Sequence, residues 1–302
     1  DVVYSIDCDL GGHFATRGVL QLLGRQSAYI PVDQKAFTLD LDAFAQAVQK
    51  KPPQAIYLDI GCALFPVPLA AIRKIVGPEV LIIYDASHTF GLIAGKLFQN
   101  PLEEGADLLQ GNTHKTFPGP QKAMLCFKEK KLAESELNLM TNGLISSPHL
   151  HHCLALYLTV LEMQQFGQEY AAQMVKNAQA LASSLAAFGI EVLAQELGFT
   201  KSNVLLIRGS SVGGHTEACR KLYDCHIGTN SRHGFGEEVL RIGVQEVTRR
   251  GMKEEEMGII ASFFKQALIE KKESAELKEE IKAFTSHYRE VRFSFDTESC
   301  YC

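Results

Sequence analysis

Several features that would fix a class at once are missing from this 302-residue sequence. No apolar run approaches the roughly 20 residues a membrane-spanning helix needs, and the stretch from Val80 to Tyr84 reads as a buried strand. A basic surplus is missing too: 30 Lys and Arg stand against 35 Asp and Glu, which argues against a nucleic-acid partner. Local basic runs such as Lys128, Lys130 and Lys131 read as a solvated helix face. None of the eight cysteines forms a CxxC pair, and Cys300-Tyr301-Cys302 is too tight and terminal for a structural site. Free thiols in a reducing compartment are expected, and with them a cytoplasmic location. No GxGxxG or Walker pattern surrounds Gly213-Gly214, so that turn is not a nucleotide loop. His149, His151 and His152 cluster without a carboxylate pattern, which predicts capping or solvated roles and no metal. Neither a secretory signal nor an initiator methionine is visible. The opening run from Asp1 to Asp7 reads as the middle of a strand, as in a truncated chain.

What is present is the composition of a soluble globular protein, 46% hydrophobic and 22% charged. The first half alternates short apolar runs with amphipathic stretches. Ala55 to Asp59 and Val80 to Asp85 read as strands of a parallel sheet, where both faces are covered. Between them Leu69 to Val76 has helical spacing and stops at Gly77-Pro78. This strand–helix–strand rhythm predicts an α/β layer architecture with right-handed crossovers. Ala106 to Gln110 and Ala123 to Phe127 are two further strands flanking Lys115. Pro148 to Phe188 suggests two or more helices linking a large domain, 1–165, to a smaller one, 166–302. Val204 to Ile207 and Val239 to Ile242 read as strands of that smaller α+β unit, and Lys253 to Lys272 as a helix with an acidic first turn.

Two local patterns carry chemistry. Asp85-Ala86-Ser87-His88 closes a buried strand, and ligands of open α/β sheets gather at the carboxyl ends of strands. In isolation Asp85 reads as readily as a cap or turn former. Lys115 follows a strand within Gly111-Asn112-Thr113-His114-Lys115-Thr116-Phe117-Pro118-Gly119-Pro120. A lone lysine belongs on the surface, but one held at a sheet can have the lowered pKa that Schiff-base chemistry requires. Neither pattern is decisive alone; together they favour a functional site.

Asp85, His88, Gly91-Leu92 and Thr113-His114-Lys115-Thr116 resemble, in order and spacing, the cofactor segment of serine hydroxymethyltransferases, in the fold-type-I pyridoxal-phosphate enzymes. Gly11-Gly12-His13 is similar to the family's Gly-Gly-His turn, and Leu240-Arg241-Ile242-Gly243 with Thr248-Arg249-Arg250-Gly251 to its carboxylate-binding segment. Nearly the whole chain is covered. The resemblance implies a mainly parallel seven-stranded-type sheet in the large domain and pyridoxal 5′-phosphate as cofactor. It implies that Lys115 forms the imine to the cofactor, that Asp85 pairs with the ring nitrogen and that His13 stacks over the ring. His88 is implied near the phenolic oxygen or the substrate carboxylate, with Thr113 and His114 among the cofactor contacts. Arg241 is implied as the clamp on the substrate carboxylate, and Gly143 as a phosphate contact across a homodimer interface.

The implied activity is aldol or retro-aldol chemistry on β-hydroxy-α-amino acids, with an amino acid and an aldehyde as small-molecule partners. A racemase or other Cα chemistry in the same site is an alternative, and an inactive fragment or scaffold paralogue is another. Cys62 stands near a position where the family carries serine, which leaves that contact open. The run His114-Lys115-Thr116-Phe117-Pro118-Gly119-Pro120-Gln121 looks more like a threonine transaldolase branch, and the short loop from Gly228 to Glu238 leaves less room for a pterin. Roughly a hundred residues of the family pattern precede Gly11-Gly12-His13 and are missing here.

Overall fold

The computed structural model describes residues 1–295. The chain begins with β1 (Val2–Ser5), a 3-10 turn at Cys8–Leu10, α1 (Thr16–Leu22) and β2 (Gln26–Tyr29). A small hairpin of β3 (Val32–Asp33) and β4 (Thr38–Leu39) leads into α2 (Leu41–Lys50). Then come β5 (Ala55–Leu58), α3 (Leu69–Val76) and β6 (Leu81–Asp85). Two short helices, α4 (Phe90–Ala94) and α5 (Pro101–Glu104), precede β7 (Leu108–His114) and β8 (Pro118–Phe127). The α3 segment behaves as its spacing predicts: Leu69 and Ile72 are its buried face, and Gly77, with φ 80°, ends it.

The main sheet has the order β2-β1-β5-β6-β7-β8, and every pair in it is parallel except β7 with β8. Ile56, Leu58, Ile82 and Tyr84 are buried in its centre, as the apolar runs predict. Six strands are present among the described residues, one fewer than the resemblance implies. The count ends at β8, a strand without a single fully buried residue, as befits the border of a sheet. Strand β7 also runs further than predicted. It extends to His114 and pairs it with Pro118, so Lys115 sits on the tight connection of a hairpin rather than in a loop.

After α6 (Lys130–Leu139) and a π-helical turn at Met140–Leu144, α7 (Leu150–Ala187) is one helix of 38 residues where two or more were expected. No proline interrupts it, and the end of α4 comes close against it at Gly95, where a side chain would meet the Gly167 carbonyl at 2.4 Å. One core gathers the main sheet with Met163, Tyr170 and Met174 of α7. A second begins at Ala178 and gathers the end of α7 with the segments that follow. Those are β9 (Val204–Arg208), α8 (His215–Asp224), β10 (Asn230–Gly234) and β11 (Glu237–Gly243), then α9 (Gln245–Arg249), α10 (Glu254–Leu268) and α11 (Ser274–Thr285). The three strands form an antiparallel sheet of order β10-β11-β9. Cys300 and Cys302 lie outside the described residues. Among the described residues no helix is long and apolar enough to cross a membrane.

Candidate active site

The order of the main sheet reverses at β1: the chain crosses to β2 on one side and later to β5 on the other. Ligands collect outside the carboxyl ends of strands at such a switch point. There a cavity of about 210 Å³ is lined by His13, Asp85, His88 and Lys115, four residues drawn from segments up to a hundred positions apart.

The turn carrying His13 is fixed by two glycines and a carboxylate. Gly11 has φ 106°, and a Cβ on Gly12 would meet the Ile6 carbonyl at 2.1 Å, so neither position accepts another residue without strain. Asp59, buried just beyond β5, accepts hydrogen bonds from the backbone N–H of Ile6 (3.2 Å) and of His13 (3.1 Å) and from the Thr16 hydroxyl (2.6 Å). Burial pushes the Asp59 carboxyl up, and these three donors work against that rise. His13 itself is exposed at the mouth, its ring beside that of Phe14.

Asp85 closes β6 with one oxygen accepting from the Ser87 N–H (2.8 Å) and the other from Tyr57 Oη (2.9 Å) and Gln110 Nε2 (3.0 Å). Lys115 is half-buried, and burial lowers its pKa; Arg241 lowers it further while Asp85 opposes both. The hairpin bearing it rests on Gly91, where a Cβ would stand 2.2 Å from the Thr116 carbonyl. The Gly91 N–H donates to the Thr116 hydroxyl at 3.0 Å. His88 is driven down to about 2 by burial first and then by the Arg241 and Lys115 charges, so it is a neutral imidazole.

The second sheet closes the site from the other side. Arg241 of β11 donates to the Gly61 carbonyl (2.6 Å) and lies 3.4 Å from His88 Nε2; a guanidinium only donates, so that nitrogen accepts and the proton sits on Nδ1. Arg232 of β10 donates to the Gly12 carbonyl at 2.9 Å. Among the described residues neither arginine pairs with a carboxylate, which leaves Arg241 charge for an anion entering the cavity.

Three residues named from the sequence stand elsewhere. Thr113 points to the opposite face of β7, where its hydroxyl donates to the Pro120 carbonyl (2.7 Å) and accepts from the Lys122 N–H (3.2 Å). The two-residue period of a strand puts Gln110 and Asn112 on the cavity side instead. His114 is exposed at the strand end, and Gly143 is exposed in the π-helical turn; neither lines the cavity. Cys62 is buried off the lining, its thiol pushed up by burial. His149 precedes α7 without a side-chain cap, with Lys122 Nζ 3.3 Å from its Nδ1. Among the described residues no group of three His, Cys, Asp or Glu is placed to hold a metal. Tyr57, Asp59, Thr16 and Gln110 were not singled out from the sequence. Their signal was polar residues at alternate positions of otherwise apolar strands, Tyr57 with Asp59 and Gln110 with Asn112.

The donor set fits pyridoxal phosphate. Asp85 offers a carboxylate for a cationic ring nitrogen, Lys115 an amine of lowered pKa for the carbonyl carbon, and His13 a flat ring at the mouth. Fold and site together define a fold-type-I pyridoxal-phosphate transferase. A family model described as serine hydroxymethyltransferase matches residues 7–264. The chain is 36% identical over 314 residues to the serine hydroxymethyltransferase of Methanocella arvoryzae, covering 100% of this chain and 74% of that protein. It is 36% identical over 300 residues to a fluorothreonine transaldolase of Streptantibioticus cattleyicolor, covering 99% of this chain and 47% of that one. The crystal structure of L-threonine transaldolase from Pseudomonas fluorescens in the internal aldimine state superposes with a TM-score of 0.93 at 32% identity, over 98% of this chain and 69% of that one. This chain belongs to the serine hydroxymethyltransferase family.

Proposed function

We propose that this protein breaks the Cα–Cβ bond of a threonine-type β-hydroxy-α-amino acid and joins the two-carbon remainder to an aldehyde. The observation that carries the reading is the gathering of His13, Asp85, His88 and Lys115 around one cavity with Arg241 at its edge. Bound pyridoxal phosphate supplies the electron sink for a bond broken at Cα. Lys115 holds the cofactor carbonyl carbon, Asp85 the ring nitrogen, and His13 one face of the ring. Arg241 would grip the substrate carboxylate and so orient the substituents at Cα. Neutral His88 donates or accepts a hydrogen bond at the phenolic oxygen or the carboxylate without a change of charge across the physiological range.

Exchange between aldehydes is favoured over folate-dependent hydroxymethyl transfer by the segment before Arg241. It is a hairpin with Gly234 paired to Glu237 and a two-residue turn, Phe235-Gly236, both with positive φ (54° and 79°). That turn leaves no extended loop there to cradle a pterin. Identity to a fluorothreonine transaldolase and to a serine hydroxymethyltransferase is equal at 36%, so the choice rests on this turn. With threonine, an aromatic aldehyde and no folate, chromatography is expected to show acetaldehyde and a new β-hydroxy amino acid. Product only from serine and tetrahydrofolate would replace this reading with hydroxymethyl transfer, and interconversion of alanine enantiomers alone would replace it with racemisation.

A homodimer is part of the proposal. Leu137, Leu139 and Leu144 near the π-helical turn, and Leu150, Leu154, Tyr157 and Leu158 at the start of α7, are large apolar side chains left exposed. Such a concentration of apolar surface marks a protein interface. Gly143 lies in the same stretch, where a second copy's cofactor phosphate would meet it. Sedimentation is expected to give a dimer and Leu154→Glu a monomer; a wild-type monomer at micromolar concentration would refute this. We place the protein in the cytoplasm on its free thiols, Cys62 and Cys225 buried singly among them. Recovery in a membrane or secreted fraction would contradict that placement.

A further inference from the structure

The hydrogen bonds on Asp85 exceed what is needed to hold a strand end. Tyr57, Asp85 and Gln110 come from the adjacent strands β5, β6 and β7, and Asp85 and Gln110 are direct partners in the β6/β7 register. Two donors converge on one oxygen, Asp85 Oδ2: Tyr57 Oη at 2.9 Å and Gln110 Nε2 at 3.0 Å. The Gln110 amide also donates to Tyr57 Oη at 2.7 Å, which occupies the phenol's acceptor side and leaves its proton to point at Asp85. The arrangement is therefore polarised in one direction, from amide to phenol to carboxylate. With the Ser87 N–H on the other oxygen at 2.8 Å, three donors draw charge from a carboxylate that has a single partner left to find in the cavity.

We infer that Tyr57 and Gln110 set the acidity of the cofactor's ring nitrogen by withdrawing charge from Asp85, an inference that rests on the pyridoxal-phosphate reading above. A carboxylate stabilises a pyridinium in proportion to the charge on the oxygen that faces it. Hydrogen bonds to an ionised oxygen are roughly twice as strong as neutral ones and reduce its basicity accordingly. The two residues thus act through Asp85 as positioning residues. They keep the ring cationic while weakening the grip on its proton, so the ring's electron demand is a property of three strands rather than of one aspartate. Tyr57 is suited to the task because burial and the Asp85 charge raise its pKa and keep it a donor.

The test uses the full chain loaded with pyridoxal phosphate labelled with ¹⁵N in the ring, followed by NMR across a pH series. In Tyr57→Phe the pH at which the ring nitrogen loses its proton is expected to rise by about one unit, the size of one lost charge-assisted hydrogen bond. Gln110→Leu is expected to move it the same way, and decides the matter if Tyr57→Phe does not fold. A merely structural role would weaken cofactor binding without moving this titration. An unchanged or lowered midpoint in a variant that still binds cofactor overturns the inference alone. Failure of the wild type to take up pyridoxal phosphate overturns the reading beneath it as well.

Discussion

Lys115→Ala is expected to leave a folded protein that no longer fixes pyridoxal phosphate when treated with borohydride. The visible band of the wild-type complex disappears with the lysine, and mass spectrometry finds no cofactor-bearing peptide around residue 115. The fold survives because Lys115 belongs to neither core and sits on the hairpin connection between β7 and β8. Turnover falls by on the order of 10³-fold or more, since removing the nucleophile from cooperating groups removes most of the chemistry. A pH series gives the same argument a sign. Burial and Arg241 lower the lysine's pKa and Asp85 raises it. The rate at which the apoprotein captures cofactor therefore rises with pH through a midpoint below 10.5, the ordinary value for lysine. Arg241→Ala moves that midpoint up, and Asp85→Asn moves it down. A Lys115→Ala variant that keeps the wild type's full capture rate would show that another amine does the work.

The parts of the molecule that could be read from the sequence are those that depend on local pattern. Ala55 to Leu58 and Leu81 to Asp85 are strands and Leu69 to Val76 a helix because periodicity and punctuation agree there. Asp85 and Lys115 could be placed because strand ends in an α/β sheet have a common address. Two other features depended on long-range contact and could not be read. The length of α7 goes with its packing into two cores, Met163, Tyr170 and Met174 in one and Ala178 onward in the other, and nothing local to the helix reveals that. The face of β7 that meets the cavity turns on a hairpin register. Alternation gives the cavity places to Gln110 and Asn112 and turns Thr113 away, while His114, of their parity, lies past the register shift that follows Asn112 and is exposed at the strand end. Asp59 was hidden for a third reason. Its partners, Ile6, His13 and Thr16, lie more than forty residues away, so its value as the anchor of the Gly11-Gly12-His13 turn exists only in the fold.

Arg241→Ala separates binding from chemistry more sharply than any other single change in the site. Arg241 is largely withdrawn from water and sits beside a second guanidinium, and burial followed by Arg232 lowers its pKa. Its bond to the Gly61 carbonyl holds the fork in place before any ligand arrives, so little ordering remains to be done when a carboxylate enters. A pre-ordered, partly desolvated guanidinium meeting a carboxylate in two parallel hydrogen bonds is worth roughly 3–5 kcal/mol on truncation. The expected result is thus a rise in KM for the amino acid of roughly 10²-fold to a few times 10³-fold. Cofactor affinity should change little, because Lys115 and Asp85 remain. Arg241→Lys is expected to recover only part of the loss: an ammonium keeps the charge but cannot reproduce the planar fork. It should also loosen the choice among bonds at Cα, so that side products such as exchanged α-protons grow relative to aldol product. Steady-state kinetics with threonine, run beside deuterium exchange at the α-carbon of glycine, reads both effects. If KM stayed within about threefold of wild type in Arg241→Ala, the carboxylate would have to be held elsewhere. Arg232, bonded to the Gly12 carbonyl, would be the next guanidinium to remove.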